Sequence, residues 1–370
     1  MAITRITTAN AIADSSVQNI KMSNIVQSKN IIINGDMSIA QRATSVTGIT
    51  SGGYKTVDRF PLNLDLGTWT QSQSTDVPTG QGFAKSFKMD CTTANASPSA
   101  AILAAVRTKI EGQNLQYLKK GTSSAESTTL SFWVKSNKTG TYICELIDND
   151  NSRQISQAYT ISSASTWEKK TITFDGDTTG AFGNDNGASL ELHFWLGAGS
   201  NYTSGTLSTT WTSITTANRA VGQVNLADST SNEWYVTGVQ LEAGTTASEF
   251  EFLPVDVNLA RCQRYCFSEP AGDANHVIMN GFYPNTSLFI GIKHLPVPMR
   301  AEPSITTSGS WQTASTTDKT ATSFTITDSA VNNLTSVQFR ANVSSVIAGD
   351  GANFRNAGDA TAKFILSSEL

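Results

Sequence analysis

The sequence predicts an all-β protein: a jelly-roll or β-sandwich domain, then a smaller β-sandwich domain, behind a short N-terminal arm. Three observations predict it. Short runs alternate apolar and polar residues, as in Phe83, Phe87, Met89 and Cys91 against Ala84, Ser86, Lys88 and Asp90, the mark of a half-buried strand. Glycine and asparagine turns separate these runs. Charged residues make up only 15% of the chain and apolar residues 39%, whereas an average soluble domain is about 25% charged. Ser, Thr, Asn and Gly fill the gap, the residues of turns and of solvent-facing strand positions. The 16 Phe, 7 Trp and 8 Tyr still supply large buried areas, and 370 residues exceed one ordinary core.

Residues 1–30 read as the arm. The stretch ANAIADSSVQNIKMSNIVQSK scatters Ile, Val and Met with neither a helical nor a strand period. So short a segment builds no core of its own, and its apolar content predicts docking onto a partner. At Asn30 the texture changes. Ile31 to Ile33 is a β-branched run ending at the Asn34-Gly35-Asp36 turn signal, and Thr56 to Leu62 reads as another strand. Leu130, Phe132 and Val134 alternate with Ser131, Trp133 and Lys135. Asn137-Lys138-Thr139-Gly140 reads as a hairpin turn into Tyr142, Cys144 and Leu146. Glu168 to Phe174 follows. Leu190, Leu192, Phe194 and Leu196 alternate with Glu191, His193 and Trp195, and Trp234 to Leu241 closes a domain spanning 31–254. Arg107 to Leu118 reads as a short helix.

Pro254 marks the exit into the second domain, 255–370. Asn258 to Phe267 reads as helix or strand. Strand-like pieces follow at 276–282, 287–292, 323–327, 337–341 and 362–366, with Pro296, Pro298 and Pro303 between them. Of the 4 cysteines, Cys91 and Cys144 fall within strand-like runs, while Cys262 and Cys266 could share a helix face. All are expected to be reduced, buried thiols.

The charge pattern narrows the function. A net charge of -4 from 26 basic and 30 acidic residues, without a basic stripe, argues against a nucleic-acid partner. No apolar run approaches the ~20 residues that insert across a bilayer. The N-terminus lacks the apolar stretch of a signal peptide, so assembly in the cytoplasm of the producing cell is expected. Asp148 with Asp150, and Asp175 with Asp177, are candidate glycosidase pairs. Both lie in turn-like stretches, where Asp bonds its local backbone. The histidines His193, His276 and His294 come without a Gly-x-Ser-x-Gly elbow, and no P-loop, dinucleotide fingerprint or His-Glu-x-x-His pattern occurs. The chain is expected to be no enzyme and to require no cofactor.

An ordered series of segments carries a resemblance. Asn30 to Met37, then Gln41-Arg42, then Asp58-Arg59-Phe60 resembles the opening of a carbohydrate-binding-module-like jelly roll of bacteriophage tail fibres. Leu130 to Ser136 looks like its central strand, and Val236 to Gly244 its last. Cys262-Gln263-Arg264-Tyr265 and Val297 to Ala301 are similar to segments that follow it in such fibres. Cys266 departs from the pattern, standing where an aromatic is usual. The resemblance implies a virion appendage, homotrimeric, joined to other tail or capsid proteins through residues 1–30, and contacting a host surface polysaccharide. The alternative is a purely structural connector or capsid decoration. The resemblance also implies a structural calcium, for which Asp36 and Glu242 would contribute if the first and last strands lie side by side. The other reading is a turn Asp and an exposed Glu.

Sugars stack on aromatic faces while their hydroxyls meet amides and carboxylates. Glu191, His193 and Trp195 share the strand face opposite Leu192 and Phe194. Tyr202 and Trp211 lie in the long stretch from Gly197 to Asn232, long enough to be functional. These five are the candidate sugar-binding residues. Each has a structural alternative: a neighbouring subunit could cover Trp195, and Trp211 could pin its loop.

Overall fold

The computed structural model describes residues 29–270, 272–326 and 334–370, and the arm reading for 1–30 lies almost wholly outside them. Twelve strands build the first part. They are β1 (Ser45–Ile49), β2 (Leu62–Leu64), β3 (Thr68–Ser74), β4 (Ser86–Thr93), β5 (Leu103–Glu111), β6 (Thr128–Ser136), β7 (Gly140–Asp148), β8 (Arg153–Ile161), β9 (Glu168–Phe174), β10 (Ala188–Ala198), β11 (Thr212–Ser213) and β12 (Glu233–Ala243). They pair antiparallel into two six-stranded sheets, β1-β3-β4-β12-β6-β9 and β11-β8-β7-β10-β5-β2, stacked face to face as a jelly-roll sandwich.

The inner faces follow the alternation. Phe87, Met89 and Cys91 of β4, Leu130, Phe132 and Val134 of β6, and Leu192 and Phe194 of β10 all point into one core. Phe132 meets Tyr159 and Phe194 edge-on at 5.1 Å each, pairs worth about 0.5–1.5 kcal/mol beyond their buried area. Trp69 and Trp234 are fully buried in the same core.

Three expected elements differ. Ile31 to Ile33 is not a strand. The Asn30 side chain accepts from Ile32 N, and the Asn34 side chain binds Ile39 and the Asp58 carbonyl. These side chains supply the bonds that a sheet neighbour would, and Asn34 sits at φ 62. Thr56 to Leu62 is likewise a buried bend, reversed by Arg59 at φ 71, with only its end entering β2. Arg107 is not helical but lies within β5, paired to β10 and β2. Two single turns of 3-10 helix follow, Gly112–Asn114 and Gln116–Leu118.

Beyond residue 254 the helix Val255–Gln263 leads directly into β13 (Cys266–Pro270). Then come β14 (Val277–Asn285), β15 (Leu288–His294), β16 (Ser304–Ser308), β17 (Trp311–Ala314), β18 (Asp318–Thr320), β19 (Thr322–Ile326), β20 (Ser336–Asn342), β21 (Gly351–Asn356) and β22 (Lys363–Ser367). They form a three-stranded sheet, β13-β22-β16, and a seven-stranded one, β18-β17-β21-β14-β15-β20-β19. Phe289, Trp311, Phe339, Phe354 and Phe364 fill a second core, with Trp311 stacked on Phe354 at 5.1 Å.

The seam between the two parts is polar. Arg264 reaches Glu111, itself 0% exposed, with two 2.8 Å bonds, and the Tyr265 hydroxyl donates to the same carboxylate. Burial pushes the Glu111 carboxyl up, but these bonds outweigh it and hold it below the usual range. Arg59 stacks over the Tyr265 ring at 3.5 Å and pairs with Glu369. Asn258 of the helix donates to Asp36 and Ser38, each at 3.0 Å.

Candidate functional site

The outer face of the β1-β3-β4-β12-β6-β9 sheet carries an aromatic groove. With Leu130, Phe132 and Val134 committed to the core, β6 presents Ser131 and Trp133 outward. Trp133 stands in register between Thr237 of β12 and Lys169 of β9. The β12–β6 register slips between Thr237 and Gln240, and Gly238 occupies this bulge at φ 63. A β-carbon there would lie 2.6 Å from the tip of the Phe83 ring. Glycine thus provides both the backbone angle and the seat for that ring.

The chain leaving β12 is stitched back along the strand. Ser248 bonds Glu242 through its amide and hydroxyl, and Glu251 N donates to the Gln240 side chain at 2.9 Å. This fixes Phe250 and Phe252 over Phe83, with ring centroids 4.9–5.1 Å apart in the triad. Phe83 therefore does not share the core with Phe87, Met89 and Cys91 as its spacing suggests; β4 begins only at Ser86, and Phe83 packs with this outer cluster. The groove encloses about 250 Å³, with Gln81, Ser131, Trp133, Lys169 and Glu249 on its walls. Phe252 is 50% exposed. An apolar ring face, an amide, an ammonium and a carboxylate thus converge on one concavity, the make-up of a site for a polyhydroxylated ligand.

Further along this face the aromatics are already engaged. Lys135 lies over Tyr235 at 4.3 Å, and the Trp167 indole donates to Asp76 at 2.9 Å.

The sequence-derived sugar face is closed. Glu191, His193 and Trp195 do share the outer face of β10, but they are 7%, 2% and 0% exposed. The stretch after β10 folds back across Trp195. Trp195 packs with Leu103, Ala105, Ile143 and Ala220, with Tyr202 and Leu207 against the cluster. Its indole donates to Glu145 at 3.0 Å, and Arg219 grips the same carboxylate with bonds of 2.8 and 2.9 Å. The cover belongs to this chain, not to a neighbouring subunit. Glu191 accepts from His193 at 2.9 Å, with Lys109 and Arg107 nearby. Tyr202 is half-buried, its ring 5.4 Å from Trp195. Trp211 donates to the Asp175 carbonyl at 2.7 Å under the Lys120 ammonium, so it pins its loop.

The calcium pair does not assemble. The segments at 31–35 and 239–241 do lie side by side, through Ile31 N to Leu241 O and Val239 N to Gly35 O, each 2.9 Å. Asp36 falls beside Thr237 at one end of that contact. Glu242 lies five residues further along β12, on the order of 15 Å at the strand rise. No single ion with ligands at about 2.3–2.6 Å spans them. Asp36 binds Ser38 and Asn258, and Glu242 binds Gln240 and Ser248. Among the described residues no group of three or more His, Cys, Asp or Glu side chains is placed to hold a metal.

Three of the four paired aspartates are tied into turns and ion pairs, and the fourth, Asp175, accepts from Trp211 through its carbonyl. Asp148 accepts from Asn151, Asp150 from Gly183 N and Asp177 from Thr179 N. Lys120 joins Asp148 to Asp177, and Arg153 adds two bonds to the latter.

These features define a β-sandwich protein with an aromatic groove on one sheet face. No protein-family model and no curated protein matches the chain. Among solved structures, the enzymatically active domain of tailspike protein 4 from bacteriophage CBA120 is similar over 58% of this chain and 21% of its own, at 15% identity and a TM-score of 0.30. The family 11 carbohydrate-binding module of Lic26A-Cel5E from Clostridium thermocellum is similar over 60% of this chain and 99% of its own, at 9% identity and a TM-score of 0.28. The CBM22-1–GH10 modules of xylanase 10B from the same organism reach 0.29 at 10% identity, over 59% of this chain and 29% of theirs. This chain thus spans about a fifth of the tailspike domain.

Proposed function

We propose that this protein is a non-catalytic glycan-binding component of a bacteriophage tail fibre or related virion appendage. The observation that carries the glycan reading is the groove formed by Phe83, Trp133, Phe250 and Phe252, rimmed by Gln81, Lys169 and Glu249. The aromatic faces stack on a sugar ring, and the rim groups meet its hydroxyls. Support for the virion role is the ordered series of fibre-like segments in the sequence. Such shallow sites bind singly at around 1 mM, about -4.1 kcal/mol, and repetition in a homotrimer raises avidity by ~10²–10⁴.

The test is adsorption of the purified protein to host cells and to their extracted surface polysaccharide. Phe252→Ala and Trp133→Ala should abolish binding without lowering the melting temperature, and no reducing sugar should be released. Undiminished adsorption of both variants would place the binding site outside this groove, and no adsorption by the parent protein would leave the connector reading in its place.

A further inference from the structure

The helix Val255–Gln263 presents an apolar face that the described residues leave open. Val255 is 68% exposed and Val257 43%, and Leu259 and Ala260 on the next turn are only half-buried. The opposite side is committed, with Cys262 fully buried and Asn258 bonded to Asp36 and Ser38. Valine loses side-chain freedom in a helix, so two exposed valines in its first turn gain nothing from the helix itself. Their place is accounted for by a covering segment.

Two observations point to that segment. The first is where the N-terminal arm ends. The Asn30 amide donates to Glu251 at 2.9 Å, and Asn30 shares a small cavity with Leu253, Asn258 and Arg261. The arm thus joins the described chain beside the start of the helix. Residues 20–28 span up to ~30 Å when extended, whereas the whole helix, Val255–Gln263, is ~14 Å long. The second is composition. The arm's last part brings Ile20, Met22, Ile25 and Val26. Residues 15–29 hold Lys21 and Lys29 and no acid, while 249–257 hold Glu249, Glu251 and Asp256 and no base. Glu251 is already set against Asn30 and Arg261, and Glu249 rims the aromatic groove. Asp256, exposed between the two valines, is left to meet a lysine of the arm.

We infer that residues 20–28 dock on their own chain, covering Val255, Val257 and Leu259, with Lys21 beside Asp256. The short tether makes the contact intramolecular, at an effective concentration of about millimolar, so a contact too weak to join separate molecules suffices. Residues 1–19 stay available to other chains. The docking does not depend on the glycan reading.

Trypsin digestion and carbodiimide cross-linking of the full chain test this. Cleavage after Lys21 should be at least about tenfold slower in the parent than in Val255→Asp/Val257→Asp, as expected from burying even one valine side chain. Ile25→Asp/Val26→Asp, altered on the arm alone, should release the same bond. Cleavage after Lys293 within β15, followed in the same digest, should not change, which separates release of the arm from unfolding. Carbodiimide should join Lys21 to Asp256 in a product of single-chain mass. Equal cleavage after Lys21 in the parent and both variants overturns the proposal. A Lys21–Asp256 amide confined to products of two-chain mass also overturns it, and assigns the face to a neighbouring copy.

Discussion

Trp195 and Phe252 both stand on outer faces of the sandwich, yet burial assigns them opposite roles. Trp195 is 0% exposed beneath its own chain, and Phe252 is half open. Trp195→Ala should therefore lower stability by about 3–5 kcal/mol, seen as a fall in melting temperature. Phe252→Ala should change it by less than about 1 kcal/mol. Parental stability in Trp195→Ala would mean that the cover over β10 opens freely. Glu191 supplies a pH signature. Burial pushes its carboxyl up, but His193, Lys109 and Arg107 outweigh this and hold it at about 2, below the ordinary 4.5. Between those values the native form binds fewer protons than the unfolded one, so stability rises with pH. The contribution is full above about 4.5 and lost as pH falls towards 2. Glu191→Gln should flatten the acid limb of melting temperature against pH, and an unchanged limb would refute the assignment.

At the scale of elements, alternation made the inner face legible, because a period of two separates core from solvent wherever only one face is buried. The runs ending at Val134, Phe174 and Leu241 lie within β6, β9 and β12 for that reason. Alternation failed on β10, where both faces are covered, and the sequence does not say what will fold over a polar-looking face. The groove was hidden for a related reason. Phe250 and Phe252 lie in the irregular segment after β12, and side-chain bonds to Gln240 and Glu242, with the Asn30 amide donating to Glu251, bring them back. Gly238 was a visible signal, since glycine within a strand marks a bulge or a close approach. Gly238→Ala should strain the φ 63 backbone and expel the Phe83 ring, costing about 1–3 kcal/mol. Polysaccharide binding should fall with it. A variant that binds normally would show that the triad is not seated by the bulge.

At the scale of the molecule, two cores meet across a seam of ion pairs rather than a third apolar layer. Arg59, Arg264, Glu111 and Glu369 are exacting partners, because a buried charge that loses its mate is left unsatisfied. Such a seam fixes the orientation of one part on the other. If the proposed homotrimer is held by the arm, removing residues 1–28 should leave both cores folded and yield monomers where the full chain sediments as a trimer at micromolar concentration. A truncated chain that remains trimeric would place the oligomer contacts on the sandwich itself.

The buried cysteines have a practical consequence. Cys91, Cys144, Cys262 and Cys266 are unpaired and shielded from solvent, and burial pushes each thiol up, keeping it protonated. Native protein should thus resist alkylating dyes and be indifferent to reductant, while opening of the sandwich core, which holds Cys91 and Cys144, or of the seam, where Cys262 and Cys266 lie, releases a reactive sulfur. Two of the four report on the sandwich and two on the start of the second part. A maleimide fluorophore followed over time therefore reads the opening rate of each region directly, with no label engineered into the chain.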